Sequence, residues 1–306
     1  MNLGAHMSIA GGVHRALERG RRIGCDAVQL FVKNTSQWRL RPLGQHEIHL
    51  FLEERRSFPR NFVVAHGSYL VNLASPDEKL LERSLAGFGE EMKRARTLDI
   101  PYILTHPGSH RGSGATRGVR RVAKSLDRLV ATAGAESLMI LLETTAGQGD
   151  TLGRTFEELA RIIDATNANE ALGVCFDTCH VFAAGYDLRT RRAYESTLRA
   201  FDRIVGLDRL HVFHLNDSLR ELGSTIDRHT HIGKGKIGLD AFSFLVNDER
   251  FLDRPMILET PKGADDRWDI QNLAVLRGLR VPVNARGRRA ASRVSVGPAA
   301  SGRRRG

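Results

Sequence analysis

Cysteine is scarce in this chain of 306 residues, and its three copies, Cys25, Cys175 and Cys179, cannot close a disulfide framework. Cys175 and Cys179 also lack the C-x-x-C spacing of a thiolate zinc site, so all three are expected to be reduced, space-filling side chains. Long apolar runs are missing too. The longest aliphatic stretch, near Leu138 to Leu142, falls far short of the roughly 20 residues a membrane span needs, so no membrane helix is expected. Met1-Asn2-Leu3-Gly4 carries neither a basic leader nor a long apolar core, which argues against a secretory signal and for the cytoplasm. No Gly-x-Gly-x-x-Gly follows the first strand-like run, and Gly147-Gln148-Gly149 sits in a loop, which counts against a dinucleotide fold.

Acid is absent from one region in particular. Residues 281–306 hold seven Arg and no Asp or Glu, and taking those seven from the net charge of +11 leaves +4 on residues 1–280. The Gly, Ser, Pro and Ala content of this segment and its lack of apolar periodicity predict a disordered basic tail. A solvated tail often does nothing specific, but it can add salt-dependent attraction to nucleic acid.

Residues 1–280 are rich in alternation. Short aliphatic or β-branched runs at 3–6, 27–32, 62–66, 102–106, 138–143, 172–177, 210–214 and 256–259 predict eight strands. Amphipathic stretches near 11–24, 45–58, 76–98, 116–134, 155–166, 190–205, 239–249 and 266–278 predict eight helices between them. Strand–helix pairs in this number, in a chain of this length, favour a single α/β domain folded as a (β/α)₈ TIM barrel over an open doubly wound sheet.

The ends of those strands carry the chemistry. His66 closes the third, His106 the fourth, Glu143 the fifth, Asp177 the sixth with His180 just beyond, His214 the seventh and Glu259 the eighth; Asp227 and His229 follow in the loop after the seventh. In a barrel all these ends converge on one mouth, so the pattern places five imidazoles and four carboxylates in one bowl at the C-terminal face. Taken singly, each has a bland reading: Asp177-x-x-His180, for instance, reads equally as a capping aspartate beside a satisfied histidine. Together, four carboxylates in one hollow would repel each other and lose hydration unless cations share the space. Mixed nitrogen and oxygen donors without thiolate favour zinc, with manganese or iron as substitutes. Nine donors suffice for about three ions with roughly three protein ligands each, and three Zn²⁺ against four carboxylates leave a net positive bowl suited to an anionic phosphodiester. Glu143 is placed to bridge two ions, with metal-assisted hydrolysis as the expected chemistry. His6 and His110 are rim candidates; His14, His46, His49 and His211 fall on helices or inside a strand and read as structural.

Stretches running from residue 4 to about 280 resemble the endonuclease IV family, the zinc-dependent apurinic/apyrimidinic endonucleases of base-excision repair. They include Gly4-Ala5-His6, Lys33-Asn34 with Gln37-Trp38, His66-Gly67-Ser68-Tyr69-Leu70, His106-Pro107-Gly108-Ser109-His110 and Leu142-Glu143-Thr144-Thr145. Further on come Asp177-Thr178-Cys179-His180, His214-Leu215-Asn216-Asp217-Ser218, Asp227-Arg228-His229 and Leu258-Glu259-Thr260. The resemblance implies one zinc on His66, His106 and bridging Glu143, a second on Glu143, Asp177, His214 and Glu259, and a third on His180, Asp227 and His229. It implies Glu143 and Glu259 as catalytic carboxylates, and cleavage of duplex DNA on the 5′ side of abasic sites, with clearing of blocked 3′ ends. It assigns DNA contacts to Asn34, Gln37, Trp38, Tyr69, Leu70 and Arg228, with Tyr69 and Leu70 as wedge residues that open the base stack. In one place the chain departs from the family. Where many members read Lys-Asn-x-Arg-Gln-Trp, it has Lys33-Asn34-Thr35-Ser36-Gln37-Trp38, so Ser36 stands where an Arg fills the gap in the stack.

Two other readings compete. A sugar isomerase or epimerase on a divalent-metal barrel would use fewer ions and mostly oxygen ligands, which the five imidazoles disfavour. A non-catalytic DNA-binding protein with structural metal would show closed, thiolate-rich sites instead of open ones. Nothing in the sequence points to an oligomer, so a monomer is expected.

Overall fold

The computed structural model describes residues 2–39, 41–133 and 137–281, so nearly all of the predicted tail lies outside the described residues. Strands β1 (Leu3–His6), β2 (Ala27–Phe31), β3 (Val63–His66), β4 (Tyr102–Thr105), β5 (Met139–Glu143), β6 (Leu172–Asp177), β7 (Leu210–His214) and β10 (Met256–Leu258) form the closed parallel barrel, with β1 paired to both β2 and β10. Two short strands, β8 (Asp217–Ser218) and β9 (His229–Thr230), make a separate antiparallel pair in the long connection after β7. The fold is therefore the eight-stranded barrel that the alternation predicts. Its limits differ by a residue here and there. Phe62 belongs to a 3₁₀ turn after Pro59, and Glu259 lies just past β10 because its N–H turns aside to Asn216 Oδ1, 2.9 Å away.

Nine helices are present among the described residues: α1 (His14–Arg22), α2 (Gln45–Arg55), α3 (Glu78–Thr97), α4 (Ala115–Ala133), α5 (Phe156–Asp164), α6 (Thr178–Ala184), α7 (Arg191–Ile204), α8 (Leu239–Val246) and α9 (Arg267–Gly278). Side-chain caps start several of them. Asp77, Thr155 and Thr190 accept from the N–H three residues on, each cap contributing about 1 kcal/mol. The ninth helix, α6, is the one the sequence pattern does not give. Its residues 178–183 are all buried, so it has no amphipathic period to detect; Asp177 caps it, and Gly185 ends it at φ 112°.

Two apolar layers result. The larger lies between barrel and helices and is built on aromatic contacts such as Phe156 with Phe201 and Phe213 with Phe251. The smaller fills the barrel with Ala27, Val64, Leu104, Leu141, Cys175, Val212 and Ile257, one from each of seven strands. On the eighth, β1, the matching position is Gly4, where a Cβ would sit 1.8 Å from the Ala27 carbonyl oxygen. Glycine is required there because the two backbones approach so closely. Successive side chains on a strand alternate between its faces, so the residue two places after each inner one also points inward, one layer nearer the C-terminal mouth. Those residues are His6, Gln29, His66, His106, Glu143, Asp177, His214 and Glu259. Among the described residues no helix is long and apolar enough to cross a membrane.

Candidate metal centre

Glu143 sits at the bottom of the bowl, fully buried at the end of β5. Its two oxygens face different partners. Oε2 lies 3.2 Å from His66 Nε2 and 3.1 Å from His106 Nε2, while Oε1 lies 3.0 Å from His214 Nδ1 and 3.3 Å from His180 Nδ1. His214, opposite Asp177 in the β6–β7 register, also meets Glu259 Oε2 at 3.1 Å and Asp177 Oδ2 at 3.7 Å. Nearer the mouth, Asp227 touches His180 Nε2 at 3.1 Å with one oxygen and His229 Nε2 at 3.2 Å with the other. The donor atoms of the nine predicted ligands gather into three groups, each spanning no more than 4.8 Å: His66, His106 and Glu143; Glu143, Asp177, His214 and Glu259; His180, Asp227 and His229; Asp177 and His229 with Cys179 make a fourth.

Hydrogen bonds on the far side of four of the five rings, those of His66, His180, His214 and His229, fix their tautomers. His66 Nδ1–H donates to Gly67 O at 2.7 Å, His180 Nδ1–H to Thr144 O at 2.8 Å, His229 Nδ1–H to Glu259 O at 3.1 Å, and His214 Nε2–H to Gln29 Oε1 at 2.8 Å. The remaining ring nitrogens therefore aim lone pairs into the bowl, at carboxylate oxygens and, for His180 and His229, at each other across 3.3 Å. Acceptor facing acceptor at these distances is repulsive unless a proton or metal ion lies between them. Such oriented imidazoles, each held by an outer hydrogen bond, are how proteins prepare metal ligands. The donor set fits divalent ions and makes the bowl a divalent-metal site.

Electrostatics without metal tell the same story. Burial alone would raise the Glu143 and Glu259 carboxyls, yet the neighbouring imidazoles, His214 first, hold both well below the usual range. Burial would lower His180, but Asp177, Asp227 and Glu143 hold it well above its ordinary value. For His214 burial is likewise outweighed, by Cys175, Glu259 and Glu143. Asp227 falls to about 2, its burial overcome by His180 and His229. In the metal-free bowl protons take the place of cations. Cys179 also lies near Asp177 and His229, but burial and the Asp177 charge push its thiol up to about 12, so oxygen and nitrogen are the better donors.

The structure brings all nine of the predicted ligand residues together and adds three supports that sequence reasoning missed. Gln29 Nε2–H donates to Glu259 Oε1 at 2.5 Å and lies 2.9 Å from His6 Nδ1; Asn216 Nδ2–H donates to Asp177 Oδ2 at 2.7 Å; Thr144 Oγ1 accepts from the Asp177 N–H. Gln29 had a signal, a lone amide in the apolar run Ala27–Phe31, two places from an inward Ala. Asp217 is a fourth. Its buried carboxylate accepts N–H groups of Ser218, Gly233, Gly235 and Ile237, tying down the loop that delivers Asp227 and His229.

Of the rim candidates, His6 reaches the bowl through Glu259, 3.2 Å away. His110 does not: its Nδ1 accepts from Gly114 N–H at the start of α4. Above the bowl a hollow of about 470 Å³ is lined by His66, His106, His180, Asp227, His229 and Glu259 together with Phe31, Tyr69, Arg228 and Lys262. Tyr69 is 68% exposed, Leu70 half-buried, and Asn34, Gln37 and Arg228 exposed. Trp38 is half-buried, with the Arg83 guanidinium 4.8 Å from its ring centroid, so it anchors its loop to α3.

The sequence profile of a family described as xylose isomerase-like TIM barrel matches residues 17–279. A protein of Chloroflexus aurantiacus named probable endonuclease 4 is 52% identical over 276 residues, covering 90% of this chain and 97% of its own. Its namesake in Geobacter sulfurreducens is 51% identical over 277 residues, covering 90% and 94%. The crystal structure of endonuclease IV from Thermus thermophilus superposes with a TM-score of 0.81 at 40% identity, over 91% of this chain and 98% of that one. A D-tagatose 3-epimerase-like protein, 19% identical with a TM-score of 0.70 over 95% and 100% of the two chains, shares the fold alone.

Proposed function

The chain belongs to the endonuclease IV family of DNA-repair endonucleases, and from that premise we propose that it hydrolyses the phosphodiester on the 5′ side of abasic sites in duplex DNA and clears blocked 3′ ends, using three zinc ions. The observation that carries this reading is the convergence of nine donors in three groups on one hollow, with tautomers set outside it. His66, His106 and Glu143 would hold one ion, Glu143, Asp177, His214 and Glu259 a second, and His180, Asp227 and His229 a third. Bound there, zinc supplies Lewis acidity and lowers the pKa of water toward neutrality.

The rest is the work of this chain. Glu143 offers one oxygen to each side of the bowl and so fixes the spacing of two sites. Glu259 is oriented by Gln29 and His6, Asp177 by Asn216, and neither carboxylate can swing away without breaking those bonds. Tyr69, at the rim, is the large exposed side chain placed to enter a duplex where a base is missing and unstacking costs least. Arg228 brings positive charge to the same rim for the phosphate backbone, whereas Lys262 there is paired with the Asp269 carboxylate at 2.6 Å. We place the protein in the cytoplasm as a monomer, its three free buried cysteines suiting a reducing compartment.

The epimerase alternative finds no support in this donor set, which is imidazole-rich. The test is purification without added metal, then nicking of a duplex with one abasic site in the absence of magnesium. Nicking 5′ to the site, absent from intact duplex and reduced at least a hundredfold in Glu259→Gln, is the expected result. Turnover of a ketose without nicking would favour the epimerase reading.

A further inference from the structure

Outside the bowl, one buried charge pair is unused by the chemistry. Lys33, just past β2, and Glu91, in the C-terminal half of α3, are 4% and 1% exposed and approach to 3.4 Å through Nζ and Oε1. Each also holds a loop. Lys33 Nζ–H donates to Gln37 O at 2.6 Å, closing the loop that carries Asn34, Ser36 and Trp38. Glu91 Oε2 accepts from Ser68 N–H at 2.9 Å, at the root of the loop that carries Tyr69 and Leu70. Ser68 Oγ–H then donates to Thr35 O at 3.0 Å and links the two loops directly.

The same face of α3 supports the rest. Arg83, Gly87 and Glu91 are spaced four residues apart, so they form one ridge on the helix. Arg83 covers the Trp38 ring, and a methyl group on Gly87 would stand 3.4 Å from that ring, so Trp38 lies directly on the helix. From the adjacent position Ser84 Oγ accepts from Asn72 N–H at 3.0 Å, at the far end of the second loop. Two loops from different strands are thus seated on one rigid ridge, with the charge pair between them.

A pair buried this deeply is weak evidence for stability, because well-packed apolar residues of similar volume often do as well. Its distinct capacity is directional: it fixes where two loop backbones sit relative to each other. We propose that Lys33 and Glu91 are positioning residues that lock the 34–38 and 68–72 loops in one register, so that both engage the duplex together over the bowl. The inference rests on the reading that these loops meet DNA. A rigid pair of loops makes the bound shape pre-existing, which lowers the ordering cost of binding without touching the reacting centre.

The experiment compares wild type with the double variant Lys33→Met, Glu91→Leu, which removes both charges and retains bulk. Four quantities are read: zinc per chain, Tm, steady-state nicking of an abasic duplex, and affinity for abasic against intact duplex. The expected result is unchanged zinc, a kcat within about twofold of wild type, a KM raised on the order of tenfold, and a matching fall in abasic-to-intact discrimination. Unchanged KM and discrimination would overturn the inference, as would loss of zinc or folding in step with activity, which marks the pair as a structural element only. The single variant Glu91→Gln, keeping the acceptor for Ser68 N–H, is expected to fall between the two. If wild type itself fails to nick abasic duplex, it is the functional reading that has failed, a result distinct from either.

Discussion

Replacing Glu143 by Gln keeps the shape of the side chain and removes the carboxylate whose two oxygens serve the His66–His106 group and the His214 group. In the folded protein its oxygens lie 3.0–3.3 Å from ring nitrogens of four histidines, two toward each side. An amide offers one acceptor oxygen and one NH₂, and the NH₂ cannot ligate, so one of the two sites must lose a ligand. The His66–His106 group has only three donors and drops to two. Disturbing even an outer hydrogen bond to a metal ligand costs roughly 10–100-fold in affinity, and a direct ligand costs more. Loss of one charge-stabilising group from a transition state costs about 10²–10³ in kcat, so with the metal deficit we expect a fall on the order of 10³ or greater, about 4 kcal/mol of barrier. The assay pairs metal content per chain with nicking of an abasic duplex at saturating substrate. Fewer ions per chain than wild type, with kcat down by that factor, is the expected outcome. A full metal complement together with wild-type kcat would refute the bridging role.

Three further outcomes follow from the same structure. Ser36→Arg should improve discrimination of abasic from intact duplex, because Ser36 here spends its hydroxyl on Asn34 Oδ1, 2.8 Å away, and among the described residues bonds to nothing beyond the loop; equal binding ratios for the two proteins would dispose of the idea. In chelated protein, His180 and His214 titrate well above the ordinary 6.5 and Glu143 and Glu259 well below 4.5. The raised imidazoles stabilise the fold fully below pH 6.5 and lose that contribution as pH climbs through their folded values; the depressed carboxyls contribute above pH 4.5 and lose it as pH falls. The metal-free Tm should therefore be greatest between these limits and decline from about pH 6.5 upward, with zinc restoring it; a metal-free Tm that climbs from pH 6.5 to 9 would contradict the assignment. Truncation after Val281 removes seven Arg and should weaken DNA binding at low salt with a shallower salt dependence, leaving kcat alone; identical salt slopes would remove the tail from DNA binding.

The barrel was legible because buried parallel strands are written as continuous apolar runs, and because a polar residue ending each run is easy to see against them. Glu143 after Met139-Ile140-Leu141-Leu142 and His214 after Val212-Phe213 are examples. The convergence of those ends followed from barrel geometry alone. What escaped notice lacks a local period. Helix α6 is buried on every side, so only its caps, Asp177 and Gly185, mark it. The route of Asp227 and His229 into the bowl depends on Asp217 gathering three N–H groups, of Gly233, Gly235 and Ile237, from a loop up to 20 residues downstream, a contact no spacing rule encodes. Residue type also misled where context decided. His6 and His110 looked alike as rim histidines, yet β1 aims His6 at Glu259 while His110 is spent on the start of α4. The capping reading of Asp177 does not take it out of the bowl, since its Oδ1 caps α6 while its Oδ2 faces His214 and His229.

Divalent ions are expected to occupy the hollow where these acids and imidazoles meet. Crystals of protein purified without added metal, measured on either side of the zinc absorption edge, test this directly. Three anomalous peaks inside the bowl, one beside each donor group, is the predicted result; a bowl without a peak, or ions bound only elsewhere on the protein, would contradict it.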